Sequence, residues 1–325
     1  MKILITGSQG FIGSKVVKDL LNQGHKVTGV DTFDKIDSKE PWAIERNKII
    51  SQNLKNPKFE FIKWDLLSEH KFYSSEQERL YEALGTNPDI IIHCAAIVGV
   101  ENHLKDTSSF LKNLQLDERV IRWCNKSHLI YFSTSEVYGD TKKEMSVLDD
   151  LRISSKLRSN YALEKLFVER IIQAKLKNYT ILRPFNVTGP SQSPNLGVIP
   201  KFVSLAKRNK DITVYRASQD AFEPRRTFLS IDDFVYGLDF IIRHLNKYNR
   251  KIVNIGSENS IGIHELAEII KSKFKSKSGV LRKIAESEDN VITYRKPYTT
   301  VFDDMNLTPK GIDEIINEFV GVYNG

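Results

Sequence analysis

Tyr161 and Lys165 stand four residues apart in a helix-like segment, Ser159-Asn160-Tyr161-Ala162-Leu163-Glu164-Lys165, so their side chains share one helix face. A free tyrosine titrates near ~10, too high for a base at neutral pH. An ammonium held beside it favours the phenolate and is expected to lower that value. Such a phenol can take a proton from a substrate alcohol while hydride leaves the adjoining carbon. The bland alternative is a surface lysine beside a half-buried tyrosine. Thr134 supplies a third group. It follows the apolar run 129–133 within Phe132-Ser133-Thr134-Ser135-Glu136-Val137-Tyr138-Gly139. A hydroxyl at the carboxyl end of a strand can orient the same alcohol, or it can simply cap the turn.

These groups need a platform. Apolar runs at 2–6, 26–30, 59–64, 89–93, 129–133 and 179–182 alternate with amphipathic stretches at 10–23, 75–84, 108–125 and 160–176. That alternation predicts parallel β-α-β units wound about one sheet. After Arg183 the strands shorten and scatter (212–215, 227–229, 253–255), with helices at 199–208, 232–246 and 262–274. The expected fold is α/β. A Rossmann-type doubly wound parallel sheet over residues 1–183 carries the catalytic residues, and a smaller C-terminal α+β substrate domain covers 184–325, with some chain crossing back to the sheet. Residues 33–58 read as a polar, irregular excursion, and 271–277 as a solvated helix end.

The first run opens into Gly7-Ser8-Gln9-Gly10-Phe11-Ile12-Gly13. Strand, tight turn and helix start together cradle a pyrophosphate, with backbone N–H groups and the helix dipole facing the anion. Gly7 suits a turn with positive φ, Gly10 a close approach to phosphate, and Gly13 close packing of helix on strand. The spacing is G-x-x-G-x-x-G rather than G-x-G-x-x-G. Asp31 closes the second run, near the separation of about 20 residues expected of an acid that holds ribose hydroxyls. Its charge would repel a 2′-phosphate, so NAD is expected rather than NADP. The alternative is a core turn with no ligand.

The chain has 325 residues, enough for two domains or one large one. Its net charge of +7 rests on scattered lysines, which predicts a solvated surface and no nucleic-acid partner. A mild positive field still attracts a phosphorylated small substrate. Cys94 and Cys124 are its two cysteines; they build no disulfide framework and suit a reducing cytoplasm. His93 and His103 lack partners at ligand spacing, so no metal is expected. No apolar run approaches ~18 residues, so no membrane span is expected, nor a leader ahead of the glycine turn.

Taken in order, the motifs resemble the extended short-chain dehydrogenase/reductase family nearly end to end: the NAD-dependent nucleotide-sugar epimerases, dehydratases and decarboxylases. The matching pieces are Gly7/Gly10/Gly13, Asp31, Asp65-Leu66, His93-Cys94-Ala95-Ala96, Ser133-Thr134-Ser135-Glu136-Val137-Tyr138-Gly139 and Tyr161…Lys165. Arg183-Pro184-Phe185-Asn186-Val187-Thr188-Gly189-Pro190 and Arg226-Thr227-Phe228 complete them. The resemblance implies Thr134, Tyr161 and Lys165 as the catalytic set. It implies that Gly7, Gln9, Gly10, Phe11, Ile12, Gly13, Asp31, Asp65, Leu66, Ala95, Ala96, Tyr161 and Lys165 line NAD, with Asp65 and Leu66 at the adenine end. It also implies that Asn186, Val198, Tyr215, Arg226, Asn254 and Arg295 face a nucleotide-diphosphate sugar. Arg226 would meet the pyrophosphate, which a guanidinium can bind bidentately, and Tyr215 could stack on the base or pack in the core. Family members are usually homodimers through a four-helix bundle, here from 108–125 and 160–176. The apolar faces of those helices (Phe110, Leu114, Val120, Ile121; Leu163, Leu166, Phe167, Ile171) suit packing on the sheet equally well.

Ser135 and Glu136 bear on the reaction. Similar Thr-Ser-Glu sequences occur in GDP-mannose 4,6-dehydratases and UDP-glucuronate decarboxylases, whereas most 4-epimerases carry small uncharged residues there. A ketone at sugar carbon 4 acidifies the hydrogen on carbon 5, and Glu136 could remove it to start loss of the carbon 6 hydroxyl. Alternatively, a carbon 6 carboxylate beside that ketone is a β-keto acid that loses CO₂, with Ser135 and Glu136 positioning substrate or handling protons. The plain alternative for Glu136 is an acid paired with a lysine. The leading expectation is an NAD-dependent nucleotide-sugar enzyme that oxidises carbon 4, of 4,6-dehydratase or decarboxylase type. The alternatives are a 4-epimerase or 4-dehydrogenase and, from another class, a non-catalytic dinucleotide-binding regulator. Three positions depart from the family: Glu164, Leu116-Asp117 in place of Gly-Thr, and the glycine-free segment 216–224.

Overall fold

Strand β1 (Lys2–Thr6) is buried from its second residue onward, and β4 (Ile90–His93) and β5 (His128–Phe132) at every position. Burial on both faces is what a parallel strand covered by helices requires. With β2 (Lys26–Asp31), β3 (Phe59–Lys63) and β6 (Tyr179–Pro184), these strands come from residues 2–184. The later strands are β7 (Val187–Thr188), β8 (Ile212–Arg216), β9 (Arg225–Thr227), β10 (Leu229–Ser230), β11 (Lys251–Ile255), β12 (Ser260–Gly262), β13 (Val280–Ile284) and β14 (Tyr294–Arg295). The run expected at 227–229 is thus split between β9 and β10. The structure is a computed structural model that describes residues 1–32, 36–68, 75–98, 107–124, 126–139, 143–149, 160–219, 221–285 and 294–324.

The main sheet has seven parallel strands in the order β11-β6-β5-β4-β1-β2-β3. The winding reverses between β1 and β4. In such sheets the crevice beyond the carboxyl ends at the reversal is where ligands sit. One face of the sheet packs on helices Phe11–Asn22 and Ile231–Arg243 through Val17, Leu20, Phe234 and Leu238. The other packs on helices Thr107–Trp123 and Asn160–Lys175 through Val120, Val168 and Ile172. A separate apolar core gathers helices Val198–Lys207, Ile263–Lys273 and Ile312–Asn324 around Phe202, Leu266 and Phe319.

The expected irregular excursion at 33–58 is overturned: it contains the helix Pro41–Leu54. Proline at the first helical position marks its start. Arg46 and Asn53 interrupt its buried stripe of Ala43, Ile49 and Ile50, which blunts the apolar periodicity a helix normally shows. Both polar side chains are satisfied inside. Asn53 donates to the Ser14 carbonyl at 2.9 Å, and Arg46 donates twice to the Ser191 carbonyl, at 3.0 and 2.6 Å.

Candidate active site

The glycine turn sits at the reversal. Gly7 follows β1 with φ +69°, and a Cβ there would lie 2.7 Å from the Ala95 nitrogen beyond β4. At Gly13 a Cβ would lie 2.0 Å from the Gly7 carbonyl oxygen. Only glycine lets the turn, the helix and the loop after β4 approach this closely. Gly10 begins the helix without a side-chain cap, so no side chain competes for the orphan amides of its first turn. Asp31 ends β2 and accepts from the Gln9 amide at 2.9 Å, which brings the carboxylate to the edge of the turn. The Ser8 hydroxyl and the Gln9 side-chain amide are buried without a hydrogen-bond partner. This uncapped, crowded cradle with an acid at its rim fits a dinucleotide. Around it, Phe11 lies under the Arg46 guanidinium, 6.0 Å from its ring centroid, while Ile12, Ala95 and Ala96 are half-buried. Leu66 is buried and Asp65 is exposed, turning the chain by accepting from the Leu67 amide at 2.8 Å.

The proposed chemistry-bearing residues meet at the end of β5. Thr134 caps the short 3-10 helix Ser135–Tyr138, its hydroxyl oxygen accepting from the Glu136 amide at 3.2 Å. Accepting there leaves the hydroxyl proton available to a substrate. Helix Asn160–Lys175 packs against this turn, and its first turn brings Tyr161. The Lys165 ammonium lies 5.9 Å from the Tyr161 ring centroid. In the protein alone, Lys165 does not bring the phenol down. Burial, joined by the charges of Glu164, Asp117 and Glu136, outweighs Lys165 and pushes Tyr161 up to about 12. Lys165 serves other partners as well: it donates to the Tyr131 hydroxyl at 3.0 Å and lies 3.7 Å from Asp117 and 3.5 Å from Glu164. Burial opposes its charge, but these carboxylates hold the ammonium above its ordinary range.

Glu136 is paired, though not with a lysine. Arg295, 1% exposed, meets both of its oxygens, at 2.8 and 3.2 Å, and donates to the Ser135 hydroxyl at 3.3 Å. Asn254, expected to face the sugar, is buried. Its amide accepts from the Tyr138 hydroxyl at 2.7 Å and donates to the Met145 carbonyl at 3.1 Å. Asn186, at φ +40°, donates to the Thr227 carbonyl at 2.8 Å. Val198, Tyr215 and Arg226 do come together, on a groove of about 830 Å³ that also takes in Trp42, Lys201 and Arg208. Tyr215 is half exposed.

Several pairings around the site escaped the sequence reading. Arg183, buried, pairs with Glu169 at 2.6 Å and donates to the Tyr138 hydroxyl at 2.9 Å, bracing the turn that carries Ser135 and Glu136. His93 lies 2.6 Å from the Thr6 hydroxyl and 2.9 Å from Asp117. Asn113 grips both the backbone of Ile97 and the Glu164 carboxylate, at 2.8 Å from the latter. Asp117 and Glu164 carried a signal, since both stood out as departures. His103 lies outside the described residues, among which no three metal-ligating side chains cluster.

The profile of the NAD dependent epimerase/dehydratase family matches residues 3–256. The chain belongs to that family. Its membership also accounts for the order of motifs from the glycine turn to Arg183, and makes the chain an enzyme of the extended short-chain dehydrogenase/reductase group. Among relatives, it is 30% identical to a UDP-N-acetyl-alpha-D-glucosaminuronate decarboxylase of Bacillus cytotoxicus, over 99% of each chain. It is 31% identical to a dTDP-D-glucose 4,6-dehydratase of Dictyostelium discoideum, over 83% of this chain and 61% of that one. The fold is shared with a UDP-glucuronic acid 4-epimerase from Bacillus cereus (TM-score 0.78, 22% identity, 100% and 99% of the two chains). NAD is the family's cofactor, and the cradle beside Asp31 is the place in this fold that fits it.

Proposed function

We propose that this family member is an NAD-dependent nucleotide-sugar decarboxylase that oxidises carbon 4 of a nucleotide-linked uronate and releases CO₂. The observation that carries the choice is the Arg295–Glu136 pair. A dehydratase needs Glu136 as a free base toward carbon 5. Here both carboxylate oxygens are already engaged by a buried guanidinium, at 2.8 and 3.2 Å. The same guanidinium offsets the charge of Glu136, so an anionic sugar is tolerated beside it. The similarity to the glucosaminuronate decarboxylase supports this reading. The similarity to a 4,6-dehydratase favours the second reading, water loss.

Bound NAD supplies reversible hydride acceptance from carbon 4. Residues 1–183 would hold it: the glycine cradle its pyrophosphate, Asp31 a ribose, and Asp65 and Leu66 the adenine end. Thr134 donates to the 4-oxygen, and Tyr161 takes that oxygen's proton. The nicotinamide's positive charge would offset the carboxylates that otherwise keep the phenol protonated. Arg295 and Ser135 hold the carboxylate near the 4-ketone. As CO₂ leaves, the carbon 5–carbon 6 bonding pair passes into an enolate on the ketone, and carbon 5 takes a proton from solvent. Tyr161 returns its proton to the 4-oxygen as hydride comes back to carbon 4. The nucleotide would lie along the 830 Å³ groove, with Arg226 on the pyrophosphate and Tyr215 against the base, mainly within 184–325. We read the working form as a cytoplasmic homodimer. Among the described residues no helix is long and apolar enough to cross a membrane.

Incubation with NAD and a panel of UDP-, GDP-, CDP- and dTDP-linked hexoses and uronates tests the reading. CO₂ from a uronate without net NADH is expected. Water loss from a neutral hexose would establish the dehydratase reading instead, a stereoisomer the epimerase, and accumulating NADH the 4-dehydrogenase.

A further inference from the structure

Lys165 is held between two carboxyl groups from different helices. Asp117 comes from Thr107–Trp123 and Glu164 from Asn160–Lys175. They are 1% and 0% exposed, and lie 3.7 and 3.5 Å from the ammonium. Both stand where the chain departs from its family's pattern. Asp117 is also bound by His93 at 2.9 Å and by the Tyr131 hydroxyl at 3.1 Å. One oxygen of Glu164 accepts from Asn113 at 2.8 Å, while the other makes no hydrogen bond. Two buried carboxyls against one ammonium leave a negative charge uncompensated, and such a site retains a proton. The two groups separate accordingly. Burial opposes the charge of Asp117, but Lys165 and His93 hold it below the usual carboxylate range. Burial and Asp117, against the pull of Lys165, push Glu164 up to about 8.

We propose that Glu164 is a positioning residue for the proton-transfer pair: protonated, it leaves the Lys165 ammonium to act on Tyr161; ionised, it joins Asp117 in claiming that charge and keeps the phenol protonated. The inference rests on reading Tyr161 as the proton-transfer group. Among the described residues, the other titratable groups facing the pair include Tyr131 from β5, His93 from β4 behind Asp117, Cys94 just after β4, and Glu136 from the strand-end turn. No bond changes except the O–H of Glu164, whose proton passes to solvent.

Ultraviolet titration of phenolate in NAD-saturated protein, with Tyr161→Phe as the blank, reads the Tyr161 midpoint directly. Glu164→Gln can keep the bond to Asn113 and removes the charge. The midpoint should fall by about one pH unit, within the range a like charge ~4–6 Å away exerts, so phenolate at fixed pH rises about tenfold. Glu164→Asp, still ionisable, should restore most of the wild-type midpoint. An unmoved midpoint in folded Glu164→Gln overturns the proposal, as does an Asp variant indistinguishable from the Gln variant. Should Glu164→Gln fail to fold, Asp117→Asn reads the same midpoint: a downward shift supports the proposal and no shift overturns it. These readings need no substrate. Full turnover by Tyr161→Phe would sink the base assignment separately.

Discussion

Tyr161 is surrounded by more negative charge than its helix alone suggests. Lys165, one helical turn away, is opposed by Glu164, Asp117 and Glu136, so the proposed proton removal would depend on positive charge brought by the cofactor. Tyr161→Phe removes the hydroxyl proposed as proton acceptor and little else. Turnover on the cognate sugar should fall about 100- to 10,000-fold, with NAD affinity measured by calorimetry close to wild type. Arg295 reports on the chemistry differently. Arg295→Lys keeps a cation but loses the two-pronged grip on Glu136 and the bond to Ser135. Steady-state kinetics should show a loss of about tenfold or more in kcat, since an ammonium cannot reproduce the fork.

At the scale of elements, β1, the glycine turn and helix Phe11–Asn22 form one unit whose backbones nearly touch. A methyl at Gly13 would collide with the Gly7 carbonyl at 2.0 Å, and neither backbone can retreat without opening the crevice. Gly13→Ala should cost about 1–3 kcal/mol by denaturant titration and abolish detectable NAD binding. Helix Pro41–Leu54 ties a second unit to this one, because Arg46 reaches from the sheet side to the Ser191 carbonyl. Burial lowers the Arg46 guanidinium to about 10 although Asp31 opposes the shift; it stays charged at neutral pH and faces the rim that should hold the ribose.

For the whole molecule, the two helices on one face of the sheet divide their apolar residues. Val120 and Leu166 point into the core, while Leu111 and Phe167 stay 59% and 46% exposed. Leu114, Ile121, Phe167 and Ile171 also line a cavity of about 800 Å³ between the helices. An exposed apolar strip of this kind invites a second copy. If the proposed homodimer forms through this strip, Phe167→Glu should halve the mass seen by light scattering while leaving the monomer folded by circular dichroism. His128, where β5 meets β6, should contribute to the pH dependence of stability. Burial lowers it to about 4, with Thr180 its partner at 2.9 Å. The unfolded chain takes up a proton near pH ~6.5 that the folded chain refuses. Stability from this group is therefore complete above ~6.5 and is lost as pH falls toward 4, by roughly 2–3 kcal/mol. Denaturant titrations at stepped pH should show a flatter dependence in His128→Gln.

Features encoded by local spacing were legible in the chain itself. The glycine turn, Asp31, the alternation of strand and helix, and Thr134, Tyr161 and Lys165 each depend on neighbours within one β-α unit or on a repeated period. The helix at Pro41–Leu54 was not legible, because Arg46 and Asn53 occupy buried positions that an apolar residue would have marked. The charge state of the site was not legible either. Arg295 reaches Glu136 across 159 residues, and Asp117 reaches Lys165 across 48. Such pairs exist only after the chain has wound back on itself, and in a buried site each added charge changes the acidity of every other. Which groups are present is thus written along the chain, whereas which of them hold protons is decided by packing.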